Sequence, residues 1–174
     1  MSNSSAQSRT PPYSQSEREL PPVVGAKDVW GQSRVIWRSE GKNLCELVSG
    51  RKSDSNLYSD VLTVRSNTDP RWDDQTTQVD NYSDQYCMFV NKTPVGSLGV
   101  TRLLDGDVYL SEFCPPQLFE DFQDSLASAY RFRILSEFRR SSTLLPGLQL
   151  SKHLVREVLR EQIRKGSRLD VINI

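Results

Sequence analysis

"DNYSDQYCMFVNKTPVGSLGVTR", residues Asp80–Arg102, decides how the rest of the chain is read. Two of its runs, QYCMFVN and VGSLGVTR with the following Leu-Leu, are rich in β-branched, aromatic and aliphatic residues, so each predicts a strand. Lys92-Thr93-Pro94 supplies the turn between them. A third strand start, DVYLSEF, follows the turn Asp105-Gly106, and the three together predict an antiparallel meander. Two carboxylates, Asp80 and Asp84, head the first hairpin and a guanidinium, Arg102, closes it. An arginine fork bonds a carboxylate through two parallel N–H···O contacts, so such ends can hold one another in a charge network.

Upstream, VWGQSRVIWRSEG predicts a strand ending near Gly41. NLCELVSG and SNLYSDVLTVRSN follow, with Leu57, Val61 and Val64 at i, i+4 and i+7, the stripe of an amphipathic helix, and Ser55 as its N-cap. TDPRWDDQTTQVD is polar and broken by proline, a loop that carries Trp72. Downstream, PPQLFEDFQDSLAS predicts a short helix with Leu118, Phe119, Phe122 and Leu126 on its buried face. YRFRIL returns to alternation, with Tyr130, Phe132 and Ile134 on one side. LQLSKHLVREVLREQIRKG is the clearest helix, with Leu154, Val155, Val158, Leu159 and Ile163 as its apolar face and Gly166 as its stop. LDVINI predicts a last strand. The order predicts an α+β fold, a mostly antiparallel sheet flanked by helices.

Length and charge bound the rest. The chain has 174 residues, which suits one domain, read here as 27–174, after a Ser/Pro-rich tail at 1–26 whose composition predicts disorder. Lys and Arg number 22 and Asp and Glu 22, so no general pull toward nucleic acid or an anionic membrane is expected, and any charged site must be local. Three cysteines without a C-x-x-C pair and a single histidine form no recognisable zinc set, and no metal is expected. The N-terminus lacks the apolar core of a signal peptide and no run approaches a membrane span, which predicts a cytoplasmic protein.

The ordered series Arg65, Trp72, Asp80 with Asp84, TPVGSLGVTR ending in Arg102, and Arg131-Phe132 resembles the GCN5-related N-acyltransferase superfamily. Within it the likeness is to the branch of acyl-homoserine-lactone autoinducer synthases and N-acyl amino acid synthases, and it runs from about Val35 to Ile174. The resemblance implies transfer of an acyl group, a fatty one in that branch, from acyl-CoA or acyl-carrier protein to the amine of an amino acid, peptide or related molecule. No bound cofactor is implied. It places Arg65, Trp72, Asp80, Asp84 and Arg102 at the substrate cleft, the four charged ones as one network, and Arg131 among the catalytic residues. Gly96 and Gly99 are expected beside the donor, where missing side chains let a ligand approach the sheet.

The chain also departs from that pattern. The family commonly has a glutamate three residues before the arginine of the Arg-Phe pair as general base; Ser128 stands there, and a serine hydroxyl is no base near neutral pH. Glu112 and Glu137 are the nearby acids that can take its part. The glycine-rich pyrophosphate loop has no match in EFRRSSTLLPGLQLS, which leaves Arg139 and Arg140 before the long helix as candidate phosphate ligands. The family fold continues past LDVINI with further strands; a longer chain, a shortened member or a sheet completed by another copy each accounts for that. The alternative function is a non-catalytic binding or assembly module on the same fold.

Overall fold

The computed structural model describes residues 32–70, 78–103, 105, 116–122, 125–139, 149–167 and 169–172. In chain order these hold β1 (Arg34–Glu40), β2 (Leu44–Gly50), α1 (Ser55–Thr68), a 3-10 turn (Gln78–Asn81), β3 (Asp84–Val90) and β4 (Thr93–Arg102). Then come α2 (Pro116–Asp121), β5 (Leu126–Ile134), α3 (Ser136–Arg139), α4 (Leu150–Arg164) and β6 (Leu169–Ile172). The six strands form one sheet in the order of the chain, antiparallel from β1 to β5, with β6 parallel to β5. The expected α+β class and the β3–β4 hairpin are both present. The tail at 1–26, the strand expected at DVYLSEF, Trp72, Glu112 and Arg140 lie outside the described residues.

The hairpin turn is Asn91-Lys92 rather than Lys92-Thr93-Pro94. Val90 pairs with Thr93, so the loop has two residues, and both take positive φ, 49° and 69°. Such a turn matches the right-handed twist of the strands it joins. Asn91 suits the left-handed conformation and also accepts the Leu44 N–H through its side chain at 2.9 Å. The helix cap is also one residue earlier than expected. Asp54, not Ser55, accepts the Leu57 N–H, at 3.1 Å, and its other oxygen takes the Ser33 N–H at 2.9 Å. NLCELVSG is β2, with Cys45, Leu47 and Ser49 buried on alternate positions.

The two long helices cover opposite faces of the sheet. On β3, Gln85 bonds Arg65 of α1, while the next residue, Tyr86, bonds Gln162 of α4. Adjacent strand side chains point to opposite faces, so α1 and α4 sandwich the sheet. Strand β3 is buried at every residue but Phe89, as a strand covered on both sides must be. On α4 the buried line runs through Leu150, Leu154, Glu157, Val158, Glu161 and Gln162. Val155 and Leu159 are only half-buried and Ile163 is exposed, so the apolar face expected there is divided into a buried stripe and an outer one. Leu126 belongs to β5 and not to α2. Among the described residues no helix is long and apolar enough to cross a membrane.

Candidate active site

The α1 face carries a buried polar cluster centred on Asp80. Arg65, in the last turn of α1 and 1% exposed, makes a bidentate pair with Asp80 of the 3-10 turn at 3.0 and 3.1 Å. Gln85 accepts from Arg65 at 2.9 Å and donates to both Asp80 Oδ1 (3.1 Å) and the Tyr130 hydroxyl (2.9 Å). Tyr130 donates to Asp80 Oδ1 at 2.7 Å and Tyr58 to Oδ2 at 2.8 Å. Burial by itself would raise the Asp80 carboxyl; the bonds and charge of Arg65, with the two tyrosine hydroxyls, outweigh it and bring it down to about 2. Both tyrosines are pushed up, by burial first and then by Asp80. They stay protonated donors, so the cluster locks α1, β3 and β5 together around one carboxylate.

A second cluster lies on the α4 face. Asp84 takes Lys165 Nζ at 2.7 Å, Gln162 Nε2 at 3.0 Å and Arg51 Nε at 3.1 Å. Arg51 also donates to the Tyr82 carbonyl and reaches Asp105 at 3.6 Å. Arg102 pairs with Asp105 through two bonds, 2.8 and 3.1 Å, and touches the Lys165 carbonyl at 3.4 Å. The single network expected of Arg65, Asp80, Asp84 and Arg102 is therefore two networks on opposite faces. The reason is parity: Asp84 and Gln85 are neighbours on one strand and point apart. Burial would raise the Asp84 carboxyl, but Lys165 and Arg51 hold it low.

The two expected glycines are filled by the chain itself. A Cβ at Gly96 would meet Ile134 Cδ1 at 2.5 Å, and one at Gly99 would meet the Tyr130 ring. Tyr130 lies over β4 because Gly99 leaves it room.

The remaining candidates gather where β5 changes course. Gly99 pairs with Tyr130 and Ser97 with Arg133, so Leu98 alone stands opposite Arg131 and Phe132. Arg131 is the extra residue of this bulge, with φ 51°. Just before it β5 pairs in parallel with β6, from Leu126 with Leu169 to Ala129 with Ile172. The bulge sends Tyr130 to the Asp80 cluster, while Phe132 joins Ser151, Lys152, Val155, Arg156, Leu159, Arg160 and Ile163 along a groove of 550 Å³ on α4. Burial and the nearby Arg65 disfavour the charge on Arg131. Ser128, on the strand just before, is 2% exposed and its hydroxyl has no partner among the described residues. Glu137 is exposed on α3, hydrogen-bonded to Ser136, and Arg139 folds back to donate to the Ile134 carbonyl at 2.8 Å.

Tyr58, Gln85 and Tyr130 complete the first cluster and Arg51, Asp105, Gln162 and Lys165 the second, and none of them was expected. A signal existed for Tyr58, which stands two helical turns before Arg65 and so shares its face. Gln162 and Lys165 join Asp84 across 78 and 81 residues, and local patterns do not carry that distance.

No family model and no curated protein sequence matches the chain. Solved structures do. The aminoglycoside acetyltransferase meta-AAC0020 from an uncultured soil metagenomic sample, in complex with sisomicin, superposes with a TM-score of 0.51 at 12% identity. The match covers 75% of this chain and 77% of that one. The trehalose complex of the same enzyme gives 0.50 with the same identity and coverage. Aminoglycoside N-acetyltransferase AAC(6')-Iy in complex with CoA gives 0.50 at 14% identity, over 78% of this chain and 80% of that one. At such identities the likeness is one of fold: this chain carries the fold of these GCN5-related N-acetyltransferases.

Proposed function

We propose that the chain is an N-acyltransferase that moves an acyl group from a thioester donor to an amine. The observation that carries the reading is the bulge of β5 at Arg131, left-handed at φ 51°, on the strand that β6 joins in parallel. At such a bulge the ladder is locally disrupted, and backbone N–H and C=O groups there can meet an extended, amide-bearing donor arm. An N–H from the bulge can polarise the thioester carbonyl and stabilise the oxyanion formed on attack. The amine nitrogen bonds the carbonyl carbon, the C–S bond breaks, and the nitrogen's proton passes to a base and from it to the departing thiolate, which leaves as thiol. Catalysis of this kind is mainly alignment of two reactants.

The finer assignments rest on the resemblance. They are a fatty acyl group, acyl-CoA or acyl-carrier protein as donor, and an amino acid or peptide as acceptor, as in the autoinducer synthase and N-acyl amino acid synthase branch. Arg131 orients the donor, Arg139 and Arg140 meet its phosphates, and Glu112 or Glu137 takes the proton. By the same resemblance Trp72, Arg65, Asp80, Asp84 and Arg102 serve the acceptor side, the Arg65–Asp80 pair from one face of the sheet and Asp84 and Arg102 from the other. A non-catalytic binding module is the second reading, favoured by Ser128, whose buried hydroxyl stands where the family places its base.

The test is direct. Acetyl-CoA, long-chain acyl-CoA or acyl-carrier protein should raise the melting temperature, because a ligand that binds only the folded state stabilises it. An amine pool should then release free thiol and give an N-acyl product. Binding without thiol release selects the second reading, and neither binding nor release with any donor removes the first.

A further inference from the structure

Helix α4 shows solvent only one sign of charge. Its two acids, Glu157 and Glu161, are 8% and 3% exposed and are turned inward. Glu157 holds Arg156 and Arg160 at 2.9 Å each, and Glu161 is engaged by Arg34 and by Arg164. The side chains of Arg156, Arg160 and Arg164 remain 49%, 56% and 50% exposed. With Lys152 they stand at i, i+4, i+8 and i+12, a cationic row about 18 Å long. Beside it runs the outer apolar stripe, Val155, Leu159 and Ile163, which lines the groove headed by Phe132.

The complementary surface is on the same chain. Helix α2 exposes Glu120 and Asp121 and is followed by Phe122, 39% exposed. Exposed large hydrophobics among the described residues are Val35, Phe122 and Ile163, so one accompanies the acids and one the cations. The acidic patch and the C-terminal end of the basic row lie toward one end of β5, and the row runs from there toward Phe132. Phe122 accepts from Ser125 at the start of β5, and Arg102, paired there with Ala127, touches the Lys165 carbonyl at the end of α4. Two patches of opposite sign on one chain can pair reciprocally about a two-fold axis, so that each contact is made twice.

We propose that two copies of this chain associate about a two-fold axis, the acidic α2 and Phe122 of each seated in the basic, carbon-lined α4 groove of the other. Phosphates of a nucleic acid would gain nothing from the apolar row. Phe132 heads the groove next to Arg131, so the second copy lies beside the cleft assigned to the acyl donor. The association itself does not depend on acyl transfer.

Sedimentation velocity on the full chain across micromolar concentrations should show a dimer that dissociates on dilution and weakens with salt. Glu120→Lys/Asp121→Lys and Arg160→Glu/Arg164→Glu should each be monomeric. Their mixture should dimerise, because the reversed α4 meets the reversed α2 and the native pair meets at the second contact. Should the arginine variant fail to fold, Ile163→Asp, at an exposed position, replaces it and should also be monomeric. A wild-type chain that stays monomeric, variants that remain dimeric, or a mixture of the folded charge variants that stays monomeric would overturn the proposal. So would a monomer that binds anionic vesicles or an acidic amphipathic peptide through α4.

Discussion

Tyr130 lies across Gly99: a Cβ on that glycine would stand 2.6 Å from the ring carbon Cε1 and 2.8 Å from the hydroxyl oxygen. The same hydroxyl donates to Asp80 and accepts from Gln85. The glycine thus serves the buried cluster by leaving room for the one side chain that ties β5 to it. Gly96 leaves comparable room, but for the free end of Ile134.

Gly99→Ala should therefore cost more than Gly96→Ala. Overpacking alone costs about 1–3 kcal/mol, and losing a hydrogen bond to a charged group about 1.5–3 more. Ile134 Cδ1 can swing aside, which places Gly96→Ala at the low end of the first range. Urea denaturation measures both. In a Tyr130→Ala background the cost of Gly99→Ala should largely vanish, since the double-mutant cycle removes the clash. Equal costs for the two glycines, or additivity with Tyr130→Ala, would contradict this account.

The Asp80 cluster also sets an acid limit. Its carboxyl titrates at about 2 in the fold, against an ordinary 3.8. The unfolded chain binds that proton first as pH falls. The stability due to Asp80 is thus complete above 3.8 and is lost as pH drops through about 2. Asp84, also held low, adds a slope of the same sign. Asp80→Asn should flatten the fall in stability over this window, leaving the part due to Asp84. At neutral pH it should cost about 3–5 kcal/mol, because Arg65 is left buried against a neutral amide. Tyr58→Phe, which removes one donor, offers a milder probe if Asp80→Asn does not fold. Denaturation curves from pH 7 downward decide it, and an unchanged slope in both variants would count against the linkage.

How much of this was legible in the sequence depended on range. The hairpin from Asp84 to Arg102 and the span of α4 follow from local pattern, although the hairpin turn falls at Asn91-Lys92, one residue earlier than expected. Strand β2 was not legible, because Leu44 and Val48 place apolar residues on its second face as well and hide the alternation of Cys45, Leu47 and Ser49. Strand parity was available all along, since Asp84 and Gln85 are adjacent. It separates the expected charge network into two once helices are known to cover both faces. Partners such as Tyr130 for Asp80, or Lys165 for Asp84, come from strands and helices 50 and 81 residues away. Only the assembled sheet brings them in.

Arg131 separates backbone from charge. Its φ of 51° is a left-handed conformation that glycine adopts freely and a β-branched residue resists. Arg131→Gly should leave stability nearly unchanged, since relief of the backbone offsets the loss of a guanidinium that Arg65 repels and Asp80 attracts. Arg131→Val should lower stability by about 1–3 kcal/mol, the cost of forcing that conformation on the wrong residue. If the guanidinium orients a thioester donor, Arg131→Gly should lose the melting shift produced by acyl-CoA although its fold is intact. Urea denaturation reads the first effect and donor-dependent melting the second. A Gly variant that keeps the full donor shift would confine Arg131 to shaping the bulge, and a Val variant as stable as the wild type would show that the bulge does not hold the residue left-handed.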